Sequence, residues 1–478
     1  MMIRTTYGIL FGLLLALLVA GAAAVEPANT TVNGTPTTAL APSITAEVFW
    51  QETYGAYPNT TLLSLLFGAE DDYVLAGVVA GDGDLILVRA NRTGVLLDQR
   101  RVPFGPGGSG SAAAVSSTAD KGLVAVGSAR SVAPGDEDVA LLRLGADGSL
   151  IWSRSFAIGS GVDRGTAVMP AMDGGFLVAG TTASPTGGST DLLLIRVDEA
   201  GGKVWHRIHP MGAGLVRMSD IKPAPGGGYL LVGSTDAGRA GMSAVLLVKI
   251  TADGSRAWQR TYAEGTRSTR GVTLVPGSDG GFLLLAGVGE PGRDPTGTLL
   301  VSVDTDGRER WRAGLGGNVS IPVLAHDLAA VDPQGYLVAG QTGETGASRS
   351  LLTLVDRTGR EAWNLSWSIG STADRAGAVI VSGPGQFLVA GDTFSSPGRD
   401  SALYLAAIGV ATVSPNVTVN VTPTAVESPE GNLTATPTVP PSTLPMPAVE
   451  TTTSAPAGLV SLLAALSAAC LLVAFRRR

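Results

Sequence analysis

Four arginines stand in register along this chain: Arg164, Arg217 and Arg270 at a spacing of 53 residues, and Arg375 two repeats further on. Guanidinium groups grip carboxylates and phosphates through paired hydrogen bonds. Four of them at one opening would form a site for anions, with acidic cell-envelope glycans as candidates. The competing expectation is that Arg164 and Arg375 pair with their neighbours Asp163 and Asp374, while the others cap strand ends. A second series is acidic: Asp84, Asp138, Asp191 and Asp400. One carboxylate per repeat is too dispersed to share a calcium ion, and the capping of turns and strand ends accounts for these residues. Histidines number three, and His206 and His209 bracket a strand segment with no third ligand beside them; His326 stands alone. The single cysteine, Cys470, leaves the chain upstream of it without thiolate ligands, thiol nucleophiles or disulfides. No Gly-rich phosphate loop or Gly-x-Ser-x-Gly elbow occurs in a helical context. These residues therefore predict no catalytic group, no metal site and no cofactor.

The elements that must position the arginines are written repeatedly. Apolar runs closing on Gly recur at Tyr73–Gly77, Leu123–Gly127, Phe176–Gly180, Tyr229–Gly233, Phe282–Gly287, Tyr336–Gly340 and Phe387–Gly391. A period of this length marks a solenoid or a propeller. In the third unit the reading is an inner strand Thr166–Pro170, a tight turn at Asp173-Gly174-Gly175 and a second strand Phe176–Gly180. A variable loop then leads to a third strand Asp191–Val197, a polar turn and an outer strand carrying Trp205. Tryptophans recur at Trp152, Trp205, Trp258, Trp311 and Trp363, and at constant spacing they predict packing between blades, not sugar stacking. The first unit has Asp98 in that place. The seventh stops after Leu403-Tyr404-Leu405-Ala406 without an outer strand, while residues 46–55, with Trp50, look like the end of a repeat. The expected fold is all-β: a seven-bladed β-propeller of four-stranded blades, closed by an N-terminal strand, which would remove exposed edges.

The turn and tryptophan of Asp356-Arg357-Thr358-Gly359-Arg360-Glu361-Ala362-Trp363 resemble the tryptophan-docking repeat of quinoprotein-type propellers. More broadly, the units resemble the secreted β-propeller repeats of prokaryotic surface proteins, which read Gly-Gly-Tyr/Phe-x-Val-Ala-Gly, Asp-x-Leu-Leu, Asp-x-x-Gly and Trp. The resemblance spans about residues 44–412 and implies a fold, whereas propellers host many activities. A quinone-dependent dehydrogenase is the enzyme it would imply. The cysteine pair often found beside that cofactor is absent.

The two ends predict export. Arg4, the apolar run Ile9–Ala20 and Ala22-Ala23-Ala24 have the form of a secretory signal over residues 1–24. Residues 25–43 form a Thr-rich stub, and residues 413–455 form a Thr/Pro-rich stalk that cannot bury a core. Residues 456–478 hold an apolar segment long enough to cross a bilayer as a C-terminal transmembrane helix, closed by Arg476-Arg477-Arg478. This tail resembles the archaeal PGF-CTERM sorting signal, with Pro456-Ala457-Gly458 where that family has Pro-Gly-Phe. A plain membrane anchor is the alternative. Nine Asn-x-Ser/Thr sequons, at Asn29, Asn33, Asn59, Asn91, Asn318, Asn364, Asn416, Asn420 and Asn432, fit a glycosylated exported protein.

A net charge of −7 argues against a general nucleic-acid binder. The expectation is a monomeric, surface-anchored propeller acting as a non-enzymatic binding or structural module, with an envelope glycan or a surface protein as partner. The alternative is an extracellular enzyme, polysaccharide-active or quinone-dependent, using the channel. An acidic channel cluster with shifted pKa values would favour the enzyme, an Arg-lined mouth anion binding, and a featureless channel architecture.

Overall fold

The two middle strands of each repeat are apolar on both faces, which forces them between neighbours instead of onto a surface. In the third repeat these are Phe176–Ala183 and Thr190–Val197, buried over nearly their whole length. A computed structural model describes residues 43–413, apart from residues 56, 58, 131–135, 160, 185–186, 237–240, 278–279, 317–321, 344–346, 370–372 and 397–398. The described strands form seven four-stranded antiparallel sheets. Six of these blades are continuous in sequence, spanning residues 60–102, 110–156, 163–209, 216–262, 268–315 and 323–367. The seventh joins Ala373–Gly383, Gln386–Ser396 and Arg399–Val413 to Ser43–Tyr54, whose pairing runs from Ser43↔Val413 to Tyr54↔Leu403. The signal segment, most of the stub, the stalk, the C-terminal segment with Cys470, and the sequons at residues 29, 33, 318, 416, 420 and 432 lie outside the described residues.

The core is divided in the same way. Buried apolar side chains of the described residues sort into seven clusters, one between each pair of adjacent blades. One joins Leu62, Leu75 and Ile86 of the first blade to Tyr54, Leu388 and Leu405 of the seventh. Each fully buried Leu or Ile contributes on the order of 1.5–3 kcal/mol, so the blades hold one another up.

The glycine that recurs in the second strand does not end it. In the third blade the strand runs three residues past Gly180, and it does likewise in the second blade past Gly127. The inner strand correspondingly starts at Asp163, earlier than Thr166, which puts Arg164 inside it. Every inner strand has a bulge at this level, opposite the glycine in six blades, as between Gly165 and Ala167 in the third, and opposite Ala286 in the fifth. A Cβ on Gly180 would lie 2.0 Å from the Arg164 carbonyl oxygen. In the third blade the glycine is thus required by the close backbone approach at the bulge, which inserts one extra residue and re-aims the inner strand.

The tryptophans fill a second repeated contact. Each lies against the glycine of the polar turn on the next blade: Trp50 on Gly94, Trp152 on Gly201, Trp205 on Gly254, Trp258 on Gly307 and Trp311 on Gly359. A Cβ on Gly254 would be 2.5 Å from the Trp205 ring, and its φ of +86° already favours glycine. On three of these rings an arginine two residues on stacks as well, with Arg260 5.6 Å from the Trp258 centroid. Trp50 faces Ala407 across a bulge, the register in which Trp205 faces Arg196. Two interfaces depart from the pattern. Gly148 of the second blade meets Leu87 and Arg100, since Asp98 replaces the tryptophan, and Trp363 stacks on Phe387 instead.

Candidate functional site: the propeller channel and its mouth

All seven inner strands contribute to one cavity of about 610 Å³. The bulge residue in six blades lines it: Leu63, Ala113, Ser219, Val272, His326 and Gly377. The next position inward reads Ser64, Ala114, Ala167, Asp220, Thr273, Asp327 and Ala378 around the ring. Charge therefore enters this column only on the fourth and sixth blades, with Lys222 two residues beyond Asp220.

These groups are held in place by one another. Lys222 Nζ lies 2.9 Å from Asp220 Oδ2, and the Thr273 hydroxyl of the next blade donates to the same carboxylate oxygen at 2.6 Å. Ser219 donates to the Gly271 carbonyl at 2.7 Å, also across that interface. Asp327 Oδ2 accepts from the Val379 amide of the seventh blade at 2.9 Å. Burial pushes the Asp327 carboxyl up to about 6, against backbone hydrogen bonds and the attraction of Lys222. Burial also works against the Lys222 ammonium, but Asp220, and further off Asp327, hold its pKa above the ordinary value. His326 is pushed down to about 4 by burial and by Arg375, so it is neutral near pH 7.

The arginine quartet occupies equivalent positions, two residues before the bulge: Arg164 opposite Thr181, Arg217 opposite Ser234, Arg270 opposite Gly287 and Arg375 opposite Asp392. All four lie at the same end of their inner strands, and none is among the residues lining the cavity. The expected neighbour pairs do not form. Arg164 reaches Glu137 of the second blade at 2.8 Å, and Arg375 grips Asp392 on its own second strand. Asp163 and Asp374 turn the other way and accept the backbone amides of Ile158 and Ile369, which tie the preceding connection to the inner strand. Arg270 lies 3.4 Å from Asp294, and Arg217 is exposed.

The acids of the third strand also bond locally. Asp84 accepts from the Phe104 amide and from Arg101, and Asp191 accepts from the Met211 amide. Asp138 pairs opposite Ala129, and the side chain of Asp400 lies outside the described residues. His209 Nε2 lies 2.9 Å from the Gly254 carbonyl and so belongs to the rim contact, whereas His206 is exposed. Among the described residues no three His, Cys, Asp or Glu side chains converge as a metal site would require. Of the described sequons, Asn59 and Asn364 are exposed, while the Asn91 side chain accepts from the Thr93 and Val95 amides inside a turn.

Asp220, Lys222 and Asp327 escaped the sequence reading because repeat periodicity draws attention to what recurs. The signal was the departure, charge in a column otherwise filled by Ser, Ala and Thr.

No known protein family and no curated protein matches the chain. Solved structures do. A protein of unknown function from Dyadobacter fermentans is 9% identical over 77% of this chain and 99% of its own, with a TM-score of 0.44. The polysaccharide lyase Uly1 is 11% identical over 74% of this chain and 90% of its own, with a TM-score of 0.45. A puromycin hydrolase is 16% identical over 70% of this chain and 50% of its own, with a TM-score of 0.41.

Proposed function

We propose that this chain is a cell-surface β-propeller with a non-enzymatic binding or structural role in the envelope. Residues 1–24 direct export, residues 413–455 form a glycosylated stalk, and residues 456–478 anchor or sort the protein. The pairing of Ser43–Tyr54 with Arg399–Val413 supports a ring latched by both ends of the domain. One observation carries the non-enzymatic reading: the charged side chains of the channel are already engaged within the protein. Asp220 is held by Lys222 and Thr273, and Asp327 by backbone amides. A general base or nucleophile works with a titratable partner that orients it, and the ion pair among these channel groups, Lys222 with Asp220, is closed on itself. At the mouth, three of the four arginines rest on carboxylates that an acidic glycan would have to displace.

The enzyme reading keeps one supporting observation, the carboxyl of Asp327 lifted to about 6 inside the channel. A glycan array probed with the intact protein and with an Arg164→Ala/Arg270→Ala variant tests the binding reading. Binding to acidic glycans that the variant loses supports the mouth as the site. Turnover of a polysaccharide, or quinone-dependent oxidation, that disappears in Asp327→Asn would replace this reading with the enzyme.

A further inference from the structure

We infer that the channel is a recognition site for a small organic cation, a primary amine on an apolar body, with Asp327 as its counter-ion. The inference rests on the binding reading above and names the ligand chemistry of the channel itself. Three features of the cavity carry it.

The first is its charge balance. The lining contains two carboxylates, Asp220 and Asp327, against one ammonium, Lys222. Lys222 is committed to Asp220, with Nζ 3.1 Å and 2.9 Å from the two carboxylate oxygens. Asp327 receives backbone amides, and among the described residues no cationic side chain forms an ion pair with it. A partly desolvated carboxylate lacking a contacting cation is a place where an added positive charge is favoured.

The second is that the walls differ. The charged side chains lie on the fourth and sixth blades, as Asp220, Lys222 and Asp327, with Thr273 between them. The opposite arc offers the partly exposed Leu63, Leu66, Ala114 and Met169, with serine at Ser64, Ser116 and Ser117. A ligand spanning the channel would therefore meet charge on one side and hydrocarbon on the other, the pattern of an apolar pocket with few oriented polar groups.

The third separates an amine from a metal ion or an anion. Two side-chain carboxylates on separate blades are too few for a hard cation, which takes six or more oxygens. An anion would find only Lys222, whose charge Asp220 already balances.

The test is calorimetric titration of the detergent-solubilised full-length chain with three isosteric probes: cyclohexylmethylamine, cyclohexylmethanol and cyclohexanecarboxylate. The amine should bind at least tenfold more tightly than either of the others. Asp327→Asn keeps an acceptor for the Val379 amide and should erase that preference. Ala113→Phe, at an exposed position on the opposite arc, should weaken the amine at least fivefold while Asp327 is untouched. Equal binding of amine and alcohol, tighter binding of the carboxylate, or an amine preference surviving both variants would each overturn the inference. Should Asp327→Asn fail to fold, the probe ranking and the Ala113→Phe effect still decide. Glycans that bind without any amine preference would sink this inference alone; no binding of any probe or glycan would remove the binding reading with it.

Discussion

The rim and the channel of this propeller are built on opposite rules. At the rim one contact repeats at five interfaces, a tryptophan lying on a left-handed glycine of the next blade. In the channel the equivalent positions of seven blades carry Ser, Ala, Ala, Asp, Thr, Asp and Ala, and no side chain sets the pattern. A structural requirement common to all blades is solved once and copied. A ligand sits off the symmetry axis of a ring and needs different groups on different sides. Repetition therefore marks what holds the protein together, and its interruption marks where specificity can reside.

The comparison breaks most visibly at Trp258. Replacing it with Ala removes a ring from Gly307 and from beneath Arg260, and should cost roughly 3–4 kcal/mol in chemical denaturation of the purified protein. A loss below roughly 1 kcal/mol would show that the rim contact is incidental.

Glycine substitutions separate close approach from backbone strain. Gly254→Ala should lose roughly 2–3 kcal/mol, because the new methyl meets the Trp205 ring and φ is positive. Gly187 has a similar φ of +74° but nothing within 4 Å, so Gly187→Ala should lose only about 1 kcal/mol. Equal losses at the two sites would mean that the tryptophan simply moves aside.

In the channel the sharper probe is pH. Asp327 is raised from 3.8 to about 6, so its contribution to stability is complete below 3.8 and is lost as pH rises through 6. His326 is lowered from 6.5 to about 4; its contribution is complete above 6.5 and is lost as pH falls through 4. Between these limits the two oppose each other, each by roughly 2–3 kcal/mol. Compared with the native chain, Asp327→Asn should lose stability as pH falls from 6.5 to 4, and His326→Gln should gain it. Parallel profiles for all three proteins would place both residues in water.

The smallest effect belongs to the mouth. Arg164 is 56% exposed and pairs with a partly exposed Glu137, so Arg164→Ala should change stability by less than roughly 0.5 kcal/mol. That near-neutrality makes the variant a clean probe of glycan binding, since any loss there cannot be charged to unfolding.

Repeat length, the number of blades and the order of strands were legible in the chain because each blade buries the same apolar pattern against its neighbours. The recurring glycine was legible as a signal but not in its cause. It faces an inner-strand bulge instead of ending a strand, and a bulge leaves no mark on hydrophobic periodicity. The arginine register was likewise visible, but its partners were not: Glu137 lies 27 residues from Arg164 in sequence and on another blade.

The sequence by itself determined that this is an all-β chain of seven similar units, since periodicity and turn chemistry are local properties of the residues. Only the tertiary structure decided that Asp220, Lys222 and Asp327 share one cavity. The physical reason is that ring geometry, not sequence distance, converges the inner strands on a common axis, where burial raises the Asp327 carboxyl and Asp220 holds the Lys222 charge.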